Sequence, residues 1–229
     1  MNNQRPKALL SWSSGKDSAW ALHVLRQRGD VEIVGLLTTF NESADRVAMH
    51  AVRRELVESQ AVATGLPLWP VWLPWPCPNE TYEQRMRAVL ARALDQGITA
   101  VAFGDLFLAD IRAYRERQLA GTGLMPLFPL WGTPADTPPL ARAMIAGGLR
   151  AILTCVDPKQ LSESFTGRQF DAALLADLPP GADPCGENGE FHTLCYAGPM
   201  FSRPLSVCLG EVLCRDDFWF ADVRCDGAG

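Results

Sequence analysis

The stretch that decides the fold is residues 8–18, Ala-Leu-Leu-Ser-Trp-Ser-Ser-Gly-Lys-Asp-Ser, near the start of the chain. An apolar run at 8–11 predicts a strand, and residues 17–28 have the apolar spacing of a helix. A strand–turn–helix junction directs several unpaired backbone N–H groups and the positive end of the helix dipole to one point. The serine hydroxyls, the bare backbone of Gly15 and the charge of Lys16 strengthen this effect. The stretch therefore predicts a phosphate-binding loop.

The loop is not of the Walker A type. Lys16 is followed by Asp17 instead of Ser or Thr, and no glycine lies five residues before Gly15. An ordinary serine and glycine turn with a helix cap is the alternative interpretation. The number of suitable residues between a strand and a helix favours phosphate binding, and the predicted loop consists of Ser13, Ser14, Gly15, Lys16, Asp17 and Ser18.

Strand and helix patterns alternate over the first half of the chain. Continuous apolar runs at 31–37, 68–73 and 98–103 predict buried strands of the parallel type. Helical spacing predicts helices at 47–63, 80–94 and 109–119. With the first strand and helix, these make four alternations in about 120 residues, which predicts an α/β fold with a doubly wound parallel sheet.

The pattern changes after residue 125, where five prolines interrupt the chain between 126 and 139. The predicted elements are a helix at 140–146, a strand at 149–156, a helix at 170–176, a Pro/Gly turn region at 179–189, and two closing antiparallel strands at 205–213 and 218–223. We therefore predict two domains, a nucleotide-binding domain at 1–125 and a smaller α+β substrate domain at 126–229.

The composition excludes several classes of protein. The chain has 229 residues, of which 48% are hydrophobic and 21% charged, so intrinsic disorder is excluded. The net charge of −5 argues against a general nucleic-acid binder, and no apolar run approaches the roughly 18 residues of a membrane span. The first residues lack the apolar segment of a signal peptide, so we expect a cytoplasmic protein.

The seven cysteines do not form a metal-binding pattern. No two of them have C-x-x-C spacing, and only three histidines are present to complete a site. We therefore expect reduced, mostly buried thiols and no structural zinc.

The chain resembles a known family almost from end to end. Ser-x-Gly-Lys-Asp-Ser after the first strand resembles the PP-loop of N-type ATP pyrophosphatases, and residues 186–193, Gly-Glu-Asn-Gly-Glu-Phe-His-Thr, resemble the hallmark Gly-Glu-x-Gly-Glu-Phe-Glu-Thr of the diphthine–ammonia ligase family. Further segments that carry the resemblance lie at 49–50, 60–61, 65–67, 104–105, 114–117, 129–132 and 161–168.

Three features depart from the family pattern. Ser14 replaces the glycine that is more usual in the loop, His192 replaces the second Glu of the hallmark, and Cys185 directly precedes it. These departures indicate a branch that kept the ATP chemistry and changed its substrate.

The resemblance implies a HUP-like fold, similar to adenine nucleotide alpha hydrolases, and a site for ATP and Mg²⁺. ATP would bind at Ser13, Ser14, Gly15, Lys16, Asp17, Ser18, Thr38 and Gly104, with Asp17 as the metal ligand. The expected catalytic residues are Lys16, Asp17, Glu187 and Glu190. The expected substrate-binding residues are His50, Asp105, Arg115, Arg117, Glu187, Glu190 and His192.

Several of these residues have an ordinary alternative role. Asp17 could be a solvated carboxylate in the first turn of a helix, and Asp105 a loop cap. His50 could be a solvated histidine, and Arg115 and Arg117 part of a solvated helix face.

The implied reaction is ATP-dependent amide formation, in which a substrate carboxylate is adenylated, pyrophosphate leaves, and ammonia displaces AMP. The carboxylate would be diphthine on an elongation factor or, in a bacterial branch, a different small molecule. A nucleotide-binding sensor with little turnover is the alternative from another class. We expect no membrane or free nucleic acid among the partners and leave a homo-oligomer open. The substrate site should lie between the PP-loop and residues 186–193.

Overall fold

The first sheet carries the phosphate-type loop. The structure is a computed structural model that describes residues 5–47 and 52–226. The strands of this sheet pair parallel except for β3, which is antiparallel to β2. They are β1 (Lys7–Ser11), β2 (Glu32–Asn41), β3 (Arg46–Val47), β4 (Leu68–Leu73), β5 (Ala100–Ala102) and β6 (Met125–Leu127).

The order of these strands is that of a doubly wound sheet, which confirms the predicted fold class. Leu36 of β2 pairs with Leu10 of β1 and with Leu68 of β4, so β1 and β4 lie on opposite sides of β2. On its other edge β1 pairs with β5, which pairs with β6. The chain thus winds outward from β1 in both directions, and a crevice opens at the carboxyl ends of β1 and β5.

Most predicted helices are present with small shifts of their ends. The helices are α1 (Lys16–Arg28), α2 (Arg54–Thr64), α3 (Asn79–Asp95), α4 (Ala109–Leu119), α5 (Thr137–Ala146) and α6 (Ala172–Asp177), with 3-10 turns at Pro134–Asp136 and Glu163–Phe165. Gly29 ends α1 because its φ of 63° is in the left-handed region, and its N–H donates to the carbonyl of Leu25 at 3.0 Å.

Two boundaries in the first half differ from the prediction. The helix expected at 47–63 begins only at Arg54, since Val47 pairs in β3 with Phe40, and residues 48–51 lie outside the described part. The second strand, expected to end at Leu37, continues to Asn41 because β4 provides it with a further partner. Residues 125–127, where the domain boundary was expected, form β6 of the first sheet.

The second sheet is antiparallel, as predicted for the closing strands. Its order is β8-β7-β10-β9, from β7 (Arg150–Val156), β8 (Phe191–Ala197), β9 (Val207–Arg215) and β10 (Phe218–Cys225). Asp216 and Asp217 both have positive φ and make the two-residue turn between β9 and β10. β8 was not predicted, because no strand was assigned between the turn region at 179–189 and the strand expected at 205–213.

The two halves of the chain share one hydrophobic core. Leu10 and Leu22 from the first half belong to the same buried cluster as Leu153 and Phe191 from the second. The N–H of Cys195 in β8 also donates to the carbonyl of Ser14 at 2.9 Å, so the second sheet is bonded directly to the loop after β1. In the part of the chain that is described, no helix is long and apolar enough to cross a membrane.

Candidate active site

The backbone of the loop at 13–18, here called the PP-loop, is fixed from two directions. Ser14 has a φ of 71° and accepts on its carbonyl both the N–H of Cys195 and the amide of Gln60, each at 2.9 Å. The left-handed region costs a residue with a Cβ about 1–2 kcal/mol, which explains why glycine would suit this position. A Cβ on Gly15 would lie 3.1 Å from the carbonyl oxygen of Thr193, so β8 packs directly on the loop.

The side chain of Lys16 is buried between the PP-loop and the second half of the chain. Its side chain is only 2% exposed, and its ammonium donates to both carboxylate oxygens of Asp17, at 2.8 and 3.0 Å, and to the carbonyl of Cys185. It also lies over the rings of Phe170 and Phe191. Burial lowers the pKa of Lys16, but Asp17 outweighs it, so the pKa is raised and the amine stays charged. The ammonium of Lys16 is thus held between Asp17 and the carbonyl of Cys185.

The groups within reach of a ligand are those around Lys16. Asp17 keeps 26% of its side chain exposed. The hydroxyls of Ser13 and Ser18 lie 3.2 Å apart, and the side chain of Ser13 is only partly buried. Ser14 by contrast is fully buried, and its hydroxyl has no partner among the described residues. Ser13 and Asp17 are therefore the half-buried side chains of the loop, whereas Ser18 is buried and its hydroxyl donates to the carbonyl of Gly15 at 3.1 Å.

Gly104 and Asp105 follow β5 at the same edge of the sheet. A Cβ on Gly104 would lie 2.9 Å from the backbone nitrogen of Ser18, so glycine allows β5 to end against the start of α1. Asp105 lies 3.5 Å from the guanidinium of Arg115 on α4. Burial raises the pKa of Asp105, and Arg115 opposes the shift. The structure thus brings Asp105 and Arg115 together at this edge.

Residues 183–193, here called the carboxylate turn, meet the first sheet through Glu187. One carboxylate oxygen of Glu187 accepts the N–H of Leu106 at 2.8 Å, just beyond Asp105. The N–H of Glu187 donates to Asp183, which also accepts the hydroxyl of Thr137. Burial raises the pKa of Glu187 to about 7, opposed by the Leu106 N–H and supported by the negative charge of Asp17. Glu187 can therefore exchange a proton at neutral pH.

Glu190 is more deeply buried than Glu187, at 2% exposure. One of its oxygens accepts the N–H of Asp183 at 2.8 Å and the amide of Asn188 at 3.1 Å. The other oxygen is buried with no partner among the described residues. An unpartnered carboxylate oxygen in the interior is costly, which is typical of a functional group and not of a packing residue.

His192 and Cys185 are both neutral in this environment. Burial lowers the pKa of His192 to about 4, and the positive charge of Lys16 lowers it further. Burial raises the pKa of the Cys185 thiol, and its sulfur lies 3.6 Å from the carbonyl of Thr137. Cys185 thus contributes its carbonyl, which binds Lys16, and its thiol is not poised as a nucleophile.

Two predicted residues, Thr38 and Arg117, lie apart from this cluster. His50 lies outside the described residues. Thr38 is 1% exposed inside β2, and its hydroxyl donates to the carbonyl of Trp12 at 2.9 Å, so it supports the strand before the loop. Arg117 is exposed on α4, in a groove of about 250 Å³ that α3 also lines.

Three residues of the site were missed by sequence reasoning. Gln60 is fully buried and joins the indole of Trp12, the carbonyl of Ser14 and that of Cys195. Thr193 accepts the N–H of Lys16 on its hydroxyl at 3.1 Å. Both lie in segments that carry the family resemblance, and this was their only signal. Asp183, in the Pro/Gly turn region, had no signal in the sequence.

The site is suited to a nucleotide more than to a metal ion alone. Within residues 5–47 and 52–226, no group of three or more His, Cys, Asp or Glu side chains could hold a metal. Mg²⁺ prefers phosphate oxygens and water with one or two carboxylates, and Asp17 is accessible for that purpose. A strand–turn–helix loop that meets a turn of buried carboxylates defines the chain as an α/β protein of the nucleotide-binding class.

Comparison with known families makes the assignment more specific. The family description "Diphthamide synthase N-terminal domain" matches residues 6–125, and "Diphthamide synthase C-terminal domain" matches residues 136–224. The chain belongs to the diphthamide synthase family. Membership supports an ATP pyrophosphatase-like function of the diphthine–ammonia ligase kind in general. The comparison with curated proteins gives no match.

Proposed function

We propose that the protein cleaves ATP to AMP and pyrophosphate, activates a substrate carboxylate as its adenylate, and forms an amide with ammonia. The observation that carries the proposal is the direct contact between the PP-loop and the carboxylate turn, through Lys16 and the carbonyl of Cys185. It is supported by the raised pKa of Glu187 in the same turn. The family supports the same general reaction.

The PP-loop binds the phosphates that leave as pyrophosphate. The first-turn amides of α1 and the hydroxyls of Ser13 and Ser18 donate to the phosphate oxygens. Asp17 would hold Mg²⁺ together with these oxygens, and the ion would neutralise the charge that develops on them. Lys16 then adds positive charge to the loop. With its carboxylate on Mg²⁺, Asp17 would compensate the charge of Lys16 less, and Lys16 would act more strongly on the phosphates.

The carboxylate turn serves the second half of the reaction. The nitrogen of ammonia forms a bond to the acyl carbon, the bond from that carbon to AMP breaks, and the nitrogen loses a proton. Glu187 accepts this proton, because a pKa of about 7 suits a general base at neutral pH. Glu190 orients the substrate through the oxygen that has no partner among the described residues.

The substrate is a carboxylate, either diphthine on an elongation factor or a small molecule. His192 is neutral and stands where the family hallmark has Glu, so it contacts the part of the substrate that differs.

Product analysis tests the reaction. The protein is incubated with ATP, Mg²⁺ and ammonium, with and without an elongation factor that bears diphthine. We expect AMP and pyrophosphate in equal amounts, and amide by mass spectrometry if diphthine is the substrate. If pyrophosphate is released only when small carboxylates are added, the substrate is a small molecule and not diphthine. ADP with free phosphate would overturn the proposal, and ATP binding without any product would indicate a sensor.

Asp17 has a matched control in Asp110, since both are acidic residues in the first turn of a helix. Asp17→Asn should lower pyrophosphate release at least about tenfold and shift its Mg²⁺ dependence to higher concentration. Asp110→Asn should leave both unchanged, because Asp110 is exposed on α4. Equal behaviour of the two variants would exclude Asp17 as the metal ligand.

A further inference from the structure

The outer edge of the second sheet is a long strand, whose pairing with β10 has one irregularity, between Leu209 and Val212. β9 is nine residues long and stands at the end of the strand order, so its partner among the described strands is β10 alone. An edge strand presents a row of unpaired N–H and C=O groups, which proteins usually shorten, interrupt with proline or cover. β9 contains no proline, and all of its residues from 211 to 215 are exposed.

Apolar side chains cluster around this edge. Leu209, Val212 and Leu213 of β9 and Phe218 of β10 are 36–49% exposed. Arg215 pairs directly with Phe218 in the sheet, and Leu213 lies two residues from Arg215, so Leu213 and Phe218 share one face. Val212 points to the opposite face from Leu213 and Phe218, so apolar side chains border this edge on both faces of the sheet.

The charges of β9 indicate what covers it. Glu211 and Arg215 are exposed, lie on the same face, and form no ion pair within the described part of the chain. If a second β9 pairs antiparallel about a two-fold axis at Leu213, Glu211 of each copy lies opposite Arg215 of the other. Centring the axis on Glu211 would instead place two like charges opposite each other, which destabilises a strand pair.

We propose that a second copy of this chain docks on β9 in the Leu213-centred register and joins the two antiparallel sheets into one. Leu213 then lies against its own copy, and Val212 lies opposite Cys214. The two Glu211–Arg215 pairs fix the register, and the apolar side chains around the axis are removed from water.

Charge reversal tests the register. Sedimentation equilibrium from about 1 µM to about 200 µM should show a monomer–dimer equilibrium for the parent. Glu211→Arg or Arg215→Glu alone should raise the dissociation constant at least about tenfold, since each creates two like-charge pairs. The double variant restores both pairs and should return the constant to within about threefold of the parent. Glu163→Arg, an exposed site outside the hairpin, is the matched control and should have no effect.

Cysteine cross-linking provides a second measurement on the folded protein. In this register the two Cys214 residues are diagonal neighbours, about 7–8 Å apart. A short bismaleimide should cross-link the parent and the Cys77→Ser variant, but not Cys214→Ser. A monomer at every concentration would overturn the proposal. A dimer whose dissociation constant is unchanged by either single reversal would also overturn it. The same holds if the double variant does not restore the dimer, because the copies would then pair through a different surface or register.

Discussion

The PP-loop and the carboxylate turn lie against each other, but they are held in place by different groups. The PP-loop is fixed mainly through its backbone, which bonds to Cys195, Gln60 and Thr193. The turn is fixed through its side chains, since Asp183 and Glu187 accept hydrogen bonds from distant parts of the chain. A loop held by its backbone leaves its side chains for a ligand, whereas carboxylates that bind the scaffold have less capacity left for one.

Lys16 joins the two regions, so its removal should have the largest effect. Lys16→Ala leaves Asp17 and the carbonyl of Cys185 without their partner, and breaking a buried ion pair costs about 3–5 kcal/mol. We expect this loss in denaturant unfolding and a fall in pyrophosphate release of about 10²-fold or more. Lys159→Ala, at an exposed lysine, should change stability by less than about 0.5 kcal/mol. A Lys16→Met variant that is stable and fully active would show that the ammonium does not link the regions functionally.

Glu190 tests whether the carboxylate turn acts in the chemistry. Glu190→Gln can keep an oxygen toward Asp183 and place its amide where the unpartnered oxygen was, so the fold should be retained. We expect kcat for amide formation to fall by about 10²–10³-fold, with the Kd for ATP changed less than about twofold. Glu163→Gln serves as the exposed control. If Glu190→Gln turned over like the parent, the turn would be structural only.

The pKa of Glu187 predicts a smaller effect, on the pH dependence of stability. The folded pKa, about 7, is above the ordinary 4.5, so the neutral carboxyl favours folding below pH 4.5 and this stability is lost as the pH rises through 7. From pH 5 to pH 8 the parent should lose about 2 kcal/mol relative to Glu187→Gln. His192 acts in the opposite direction, because its lowered pKa costs stability as the pH falls below about 6.5. The parent and Glu187→Gln therefore both need to be measured at each pH. Parallel curves of their unfolding free energies against pH would contradict the raised pKa of Glu187.

The smallest expected effect separates Arg115 from Arg117 on the same helix. Arg115→Ala removes the cation beside Asp105 and should cost up to about 1 kcal/mol of stability, with a further rise in the pKa of Asp105. Arg117→Ala should remain within about 0.5 kcal/mol, and its KM for the carboxylate substrate should be unchanged. If KM increased as much for Arg117→Ala as for Arg115→Ala, Arg117 would belong to the substrate site after all.

Helices and strands with a strong local pattern were predictable to within a few residues. α4 has the predicted ends, and β4 coincides with its apolar run. The start of α2 was predicted too early and β8 was missed, because their states depend on partners: β3 pairs with β2, and β8 pairs with β7. Hydrophobic periodicity describes neighbours along the chain, and it carries little information about a strand partner far away in sequence.

The sequence by itself determined the doubly wound sheet, the position of the PP-loop and the membership of a family, because these depend on short patterns of residue type. Only the tertiary structure decided that Lys16 binds the carbonyl of Cys185, that Gln60 joins the loop to β8, and that the pKa of Glu187 is raised to about 7. The physical reason is that burial and hydrogen bonding are set by groups that lie far apart in the sequence. Lys16 and Cys185 are separated by 169 positions, yet the packing of the second sheet on the loop makes them direct neighbours.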